Sequence, residues 1–278
     1  MSTRGNARRW ARALITGGSA GIGEAFAKTL AARGTELVLV ARNQARLKRV
    51  ADELEAGHPI EVETLAADLT EAHALTRIEH RLEALERPID LLVNNAGSET
   101  EHDAFIQRDR QLLSAEVQLN VLALLRLTHA AARAMAMRGG GHVINVSSGN
   151  AFYPTPGAAA YGASKAFVNS LSAALAHELR ASGVGVTAVC PGFTETGAQE
   201  RLGLNRDVVP RLLLHQPDEV ARKALRAAAR GKAVSALDAS GEVAASAGRH
   251  LPHRLLVPLV ARASARLASS DAGFHGGR

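Results

Sequence analysis

Tyr161 and Lys165 stand four positions apart within Ala158–Ala181, an Ala- and Leu-rich stretch whose length and composition predict a helix. Side chains at i and i+4 project from one helical face, so the phenol and the ammonium are placed to meet. A free tyrosine titrates near pH ~10, too high for efficient proton transfer at neutrality. A neighbouring ammonium favours the phenolate and lowers that value. Tyr161 is therefore a candidate general acid/base, placed to give or take a proton near neutrality. The only other tyrosine, Tyr153, has Gly157 four positions on and forms no such pair.

A second candidate set is Thr16-Gly17-Gly18-Ser19-Ala20-Gly21-Ile22-Gly23. Glycines at a strand-to-helix turn let the backbone approach a pyrophosphate, whose charge then rests at the helix N-terminus. The run falls at the first strand-to-helix junction of the chain, where dinucleotide binding needs it.

The elements that must position these groups follow one rhythm, short β-branched runs alternating with longer amphipathic stretches. Strands are predicted at Ala13–Thr16, Leu37–Ala41, Glu61–Ala66, Ile89–Val93, His142–Ser147 and Val184–Cys190, with a short edge strand at Ala233–Leu237. Between them lie helices over Gly21–Arg33, Gln44–Ala56, Glu71–Leu85, one or two helices over Asp109–Met137, and Ala158–Ala181. Pro217-Asp218-Glu219 opens a further helix to about Arg230, its acidic residues suiting the first turn. Such alternation predicts an α/β fold with a parallel sheet and right-handed crossovers. The expectation is one doubly wound Rossmann-type domain over residues 1–278, with about seven parallel strands flanked by helices. Its core would run from about 11 to 240. His250–Ser269 reads as one or two amphipathic helices in a C-terminal helical extension over about 241–270.

The Thr-Gly, three residues, Gly-x-Gly spacing resembles the short-chain dehydrogenase/reductase family, and the resemblance continues in order down residues 11–197. Asn94-Asn95-Ala96-Gly97 follows the fourth strand, Asn120 lies inside the long helical stretch, and Ser148 comes just past the fifth strand. Ser148 precedes Tyr161 by thirteen positions and Asn120 precedes Ser148 by twenty-eight, both as in that family. The thirteen-residue spacing also selects Ser148 over Ser147.

The resemblance implies hydride transfer between a nicotinamide cofactor and a small-molecule carbonyl or alcohol, with Tyr161 as general acid/base. Ser148 would hold the reacting oxygen and stabilise its developing charge. Lys165 would also bind the nicotinamide ribose, and Asn120 would anchor a relay water. Gly17, Ser19, Gly21, Ile22, Gly23, Asn95, Ala96 and Gly97 would line the cofactor, with Tyr161 and Lys165 at its nicotinamide end. Asp68-Leu69 would contact the adenine, and Pro191-Gly192 with Thr194 and Thr196 would fold over the nicotinamide and diphosphate. From Pro217 onward the chain is more loosely similar to DltE-type oxidoreductases. Two other activities share parts of the pattern: a non-catalytic NADP(H) sensor, which needs only the glycine turn, and a sugar-nucleotide epimerase or dehydratase, which shares Tyr-x-x-x-Lys.

The second strand ends in Val40-Ala41-Arg42-Asn43. An NAD enzyme usually places an acid here for the ribose 2′-hydroxyl. Ala41 leaves room instead, and Arg42 can pair with a 2′-phosphate, so NADP(H) is favoured over NAD(H). Substrate identity is not written in Ser98–Gln107, Asn150–Ala160 or Glu195–Gln216, where specificity would reside.

Composition narrows the remaining classes. The net charge of +6 invites a nucleic-acid reading, but no basic run interleaves with aromatics, so no nucleic-acid partner is expected. The lone Cys190 permits no intrachain disulfide. The eleven histidines show no ligand spacing, so no metal is expected. The polar, basic opening and the lack of a long apolar run predict neither a signal peptide nor a membrane span, and hence a cytoplasmic protein. A homodimer or homotetramer is implied by the resemblance alone.

Overall fold

The computed structural model describes residues 10–99, 103–195 and 214–268. Seven strands form one sheet: β1 (Arg12–Thr16), β2 (Glu36–Ala41), β3 (Val62–Ala66), β4 (Leu91–Asn94), β5 (Gly141–Val146), β6 (Val184–Cys190) and β7 (Val234–Ala236). Their order is β3-β2-β1-β4-β5-β6-β7, and every neighbouring pair is parallel. The order reverses between β1 and β4, so a crevice opens at their carboxyl ends, the position where doubly wound sheets hold ligands.

Alternation along the strands makes two cores. On one face Ala13 and Ile15 of β1 and Leu37 and Leu39 of β2 pack under α1 (Gly21–Ala31), α2 (Gln44–Gly57) and α7 (Pro217–Ala229). On the other, Leu14, Val38 and Val40 pack under α3 (Ala72–Glu83) and α5 (Leu124–Met137), with Leu175 and Leu179 from α6 (Ala159–Glu178) and its end alongside. The central strands are covered on both sides, which is why they read as nearly continuous apolar runs.

The stretch from Asp109 to Met137 is one interrupted helix. α4 (Arg110–Val117) passes into a π-helical segment, Gln118–Ala123, and then into α5. Two helices follow β7, in the expected C-terminal helical extension: α8 (Ala239–His250), whose own bounds are not legible in the sequence, and α9 (His253–Ala268). Pro252 separates them, since a proline there ends the hydrogen-bond ladder of α8.

Candidate active site

The glycine turn is built by close backbone contacts. Gly17 has φ +67°, a conformation that side chains rarely adopt. A Cβ on Gly23 would stand 2.1 Å from the Gly17 carbonyl oxygen, so only glycine lets α1 begin there. Ala20 caps α1 in extended conformation and offers no side-chain hydrogen bond, leaving the first-turn N–H groups to an incoming anion. The turn is tied to the end of β4. Thr16 Oγ1 accepts from the Asn95 and Ala96 N–H groups, both at 3.0 Å, and Asn95 Nδ2 donates to the Thr16 carbonyl at 3.0 Å. Thr16 is thus a positioning residue that no role was expected of, although it opens the glycine motif. Ser19 and Ile22 lie half-buried beside this cradle, which fits a dinucleotide pyrophosphate.

At the neighbouring strand end, Arg42 is exposed and its guanidinium lies 3.8 Å from Asp68. Asp68 Oδ1 accepts from both the N–H (2.9 Å) and the hydroxyl (2.7 Å) of Thr70. Burial pushes the Asp68 carboxyl up, but the Thr70 bonds and the Arg42 charge prevail and hold it below its usual value. Leu69 is buried beneath.

The four polar residues expected to act together converge beyond β4 and β5. Ser148 ends the loop after β5, accepts from the Asn150 N–H at 3.2 Å, and its hydroxyl is hydrogen-bonded to Tyr161. Its neighbour Ser147 instead points inward and donates to the Lys165 carbonyl at 3.1 Å, a purely structural bond. Lys165 is buried, donates to the Val146 carbonyl at 3.1 Å, and stands 5.5 Å from the centre of the Tyr161 ring. Gly97 is closely packed: a Cβ would lie 3.1 Å from Asn120 Oδ1 and 3.3 Å from Lys165 Nζ, so both side chains would have to give by a few tenths of an ångström.

Asn120 sits in the π-helical segment, a feature common at functional positions. Its carboxamide grips Ser98 twice, accepting from the N–H at 2.9 Å and donating to the carbonyl at 2.7 Å. One turn earlier on the same face, Glu116 pairs with Arg108 at 3.1 Å, both side chains almost wholly buried. The loop after Gly97 is therefore held at both ends by one helical face. The spacing of Glu116 and Asn120 carried that signal, and sequence reasoning missed it.

The electrostatics correct one expectation. Lys165 was expected to pull the Tyr161 pKa down. Burial pushes the phenol upward instead, the Glu99 carboxylate adds to this, the Ser148 bond opposes it, and Glu116 adds again. The same burial lowers Lys165 to about 8, against the Glu99 carboxylate, which raises it. Both shifts follow from desolvation of the charged form, a term that sequence spacing does not reveal.

Pro191 and Gly192 end β6 beside Ser148, with the Gly149 N–H donating to the Pro191 carbonyl at 3.0 Å. Thr194 donates its hydroxyl to the Gly192 carbonyl at 3.2 Å. Thr196 lies outside the described residues. Among the described residues there is no cluster suited to a metal and no helix long and apolar enough to cross a membrane.

A family profile described as short chain dehydrogenase matches residues 11–207. The chain belongs to that family. This short-chain dehydrogenase is 37% identical to one from Sphingobium yanoikuyae solved in complex with NADPH, with a TM-score of 0.78 over 86% of this chain and 92% of that one. It is 32% identical to the bulky-bulky ketone specific alcohol dehydrogenase from Comamonas testosteroni, with a TM-score of 0.75 over 90% and 100%. It is also 34% identical to the very-long-chain 3-oxoacyl-CoA reductase of Macaca fascicularis over 66% of this chain, spanning 59% of that reductase's length. The family match ends at residue 207, short of α7, and does not show the DltE-type similarity expected from Pro217 onward.

Proposed function

We propose that this chain is an NADPH-dependent reductase of neutral carbonyl compounds with apolar flanks, acting as a single domain. The observation that carries this reading is the convergence of Ser148, Tyr161 and Lys165 at the carboxyl end of β5, beside the glycine turn. When bound, NADPH supplies a hydride to the carbonyl carbon. Tyr161, whose phenol is held protonated by burial, gives its proton to the carbonyl oxygen. Ser148 holds that oxygen and stabilises the charge it gains. Lys165, with its ammonium beside the ring, favours the phenolate that remains. The Asn120 side chain is committed to Ser98, so its role is to position the loop carrying Glu99.

The preference for NADPH rests on Arg42, exposed and only loosely paired, which suits a 2′-phosphate. The relative from Sphingobium yanoikuyae holds NADPH, in keeping with this. The substrate class rests on Phe152, Tyr153, Pro154 and Pro156 in the segment after Ser148, and on the Glu99 carboxylate beside Tyr161. The names of the two other relatives both describe large carbonyl substrates. A cytoplasmic homodimer or homotetramer completes the proposal.

The test is consumption of NADPH and NADH against a panel of aryl and alkyl ketones, with Tyr161→Phe in parallel. Turnover with NADPH that falls by a factor on the order of a thousand in the variant, with NADPH affinity retained, is the expected result. An equally active variant overturns the assignment of Tyr161, and a preference for NADH overturns that of Arg42.

A further inference from the structure

Helix α8 lies between two loops that flank the Tyr161–Lys165 pair, and each of its ends is fixed to one of them. At its N-terminal end Asp238 is the cap, Oδ1 accepting from the Gly241 N–H at 2.6 Å. The other oxygen, Oδ2, lies 2.7 Å from His215 Nε2, and the two side chains are only 9% and 13% exposed. That same oxygen would be 3.2 Å from a Cβ on Gly192, so the pair is pressed against the loop that ends β6. His215 is stitched to this loop through its backbone: its N–H donates to the Phe193 carbonyl at 2.8 Å, and the Glu195 N–H donates to its carbonyl at 2.9 Å.

At the C-terminal end of α8, a Cβ on Gly248 would stand 1.8 Å from the Phe152 carbonyl oxygen. Phe152 ends the short 3-10 turn, Gly149–Phe152, that Ser148 caps. Gly248 lies ten positions beyond Asp238, about 15 Å at the usual helical rise. A cap needs one carboxylate oxygen. The second oxygen of Asp238 reaches a different segment, and the glycine at 248 brings the far end into backbone contact with a third.

We infer that α8 is a strut setting the Pro191–Glu195 loop against the Ser148 turn, with Asp238 and His215 as positioning residues for nicotinamide cofactor binding. The inference rests on the nicotinamide reading above. An asparagine caps a helix about as well as an aspartate, so Asp238→Asn retains the cap while removing the charge that faces His215. In α8 a push at one end is transmitted to the other, because a helix of this length is stiff along its hydrogen bonds.

The experiment is NADPH binding by calorimetry on the full chain, with Tm measured in parallel. Asp238→Asn and His215→Gln are each expected to weaken binding about fivefold, and the double variant no further, since the two groups act through one contact. Gly248→Ala, at the far end of the helix, is expected to weaken binding about threefold by displacing α8 from Phe152. Additive effects of the two polar variants overturn the inference, as does wild-type affinity in Gly248→Ala. A lowered Tm with unchanged affinity assigns Asp238 and His215 to the fold alone and overturns it too. Failure of the unsubstituted protein to bind NADPH is a separate result, which brings down the nicotinamide reading and the strut's role with it.

Discussion

At the carboxyl ends of β1 and β4 the site is made of backbone, whereas beyond β5 it is made of side chains. The glycine turn works because atoms are missing: Gly17 and Gly23 come into contact through their main chains, and the Thr16 and Asn95 side chains serve only to hold them there. The Ser148–Tyr161–Lys165 group works because of functional groups whose protonation is set by burial and by Glu99. The first region tolerates no added volume, and the second no altered chemistry. A ligand common to many reactions suits the first, and a particular reaction suits the second.

The comparison can be broken most severely at Gly23. Gly23→Ala places a methyl 2.1 Å from the Gly17 oxygen and 2.6 Å from Asn95 Nδ2. It should weaken NADPH binding by more than about a hundredfold, measured by calorimetry, because backbone cannot give way as a flexible side chain does. Wild-type affinity would show that the turn has slack. Ser148→Ala should do the reverse, lowering kcat on a ketone about a hundredfold with NADPH affinity retained. If affinity fell with kcat, the two regions would not be separable.

A smaller effect is expected at Arg42, a charged side chain on the otherwise backbone-built cofactor side. Arg42→Ala should raise the KM for NADPH about tenfold and leave that for NADH unchanged, since only the 2′-phosphate is lost as a partner. Equal changes for both cofactors would make Arg42 an ordinary surface residue. The smallest effect is one of pH. Burial lowers Lys165 to about 8, so its ammonium is present below that pH and lost above it. The ketone-reducing kcat/KM, which reports the free enzyme, should fall to half near pH 8 and keep falling. A flat profile from pH ~7 to ~10, the ordinary lysine range, would mean that Lys165 keeps its proton or that its charge is not used.

Legibility in the sequence follows the same division. The central strands stood out as apolar runs because both their faces are buried, whereas the edge strand β3 is only partly buried, and the Gly-rich turn stood out because glycine alone fits it. Tyr161 and Lys165 could be paired from spacing, since a helix converts four positions into one face. What burial does to them could not be read, and the expected lowering of the Tyr161 pKa is reversed. The π-helical segment has no sequence signature beyond an asparagine in mid-helix. The bounds of helix α8 within the expected helical extension could not be read, because it is rich in Ala, Gly and Ser, with little apolar periodicity. The small residue that weakens its helical signal, Gly248, is the one its packing against Phe152 requires.

The strand order also has a consequence for how the molecule comes into being. β1 lies in the interior of the sheet, yet one of its two neighbours, β4, is encoded far downstream. Thr16 receives its bonds from Asn95, 79 residues later in the chain. At synthesis rates of about 5–20 residues per second, the nascent β1 waits several seconds with one edge bare. During that interval the glycine turn has no Asn95 to hold it and cannot take a dinucleotide. Cofactor binding at the turn thus requires the chain to have been made and paired at least as far as β4, and a ligand that binds only the paired form draws chains toward it by mass action.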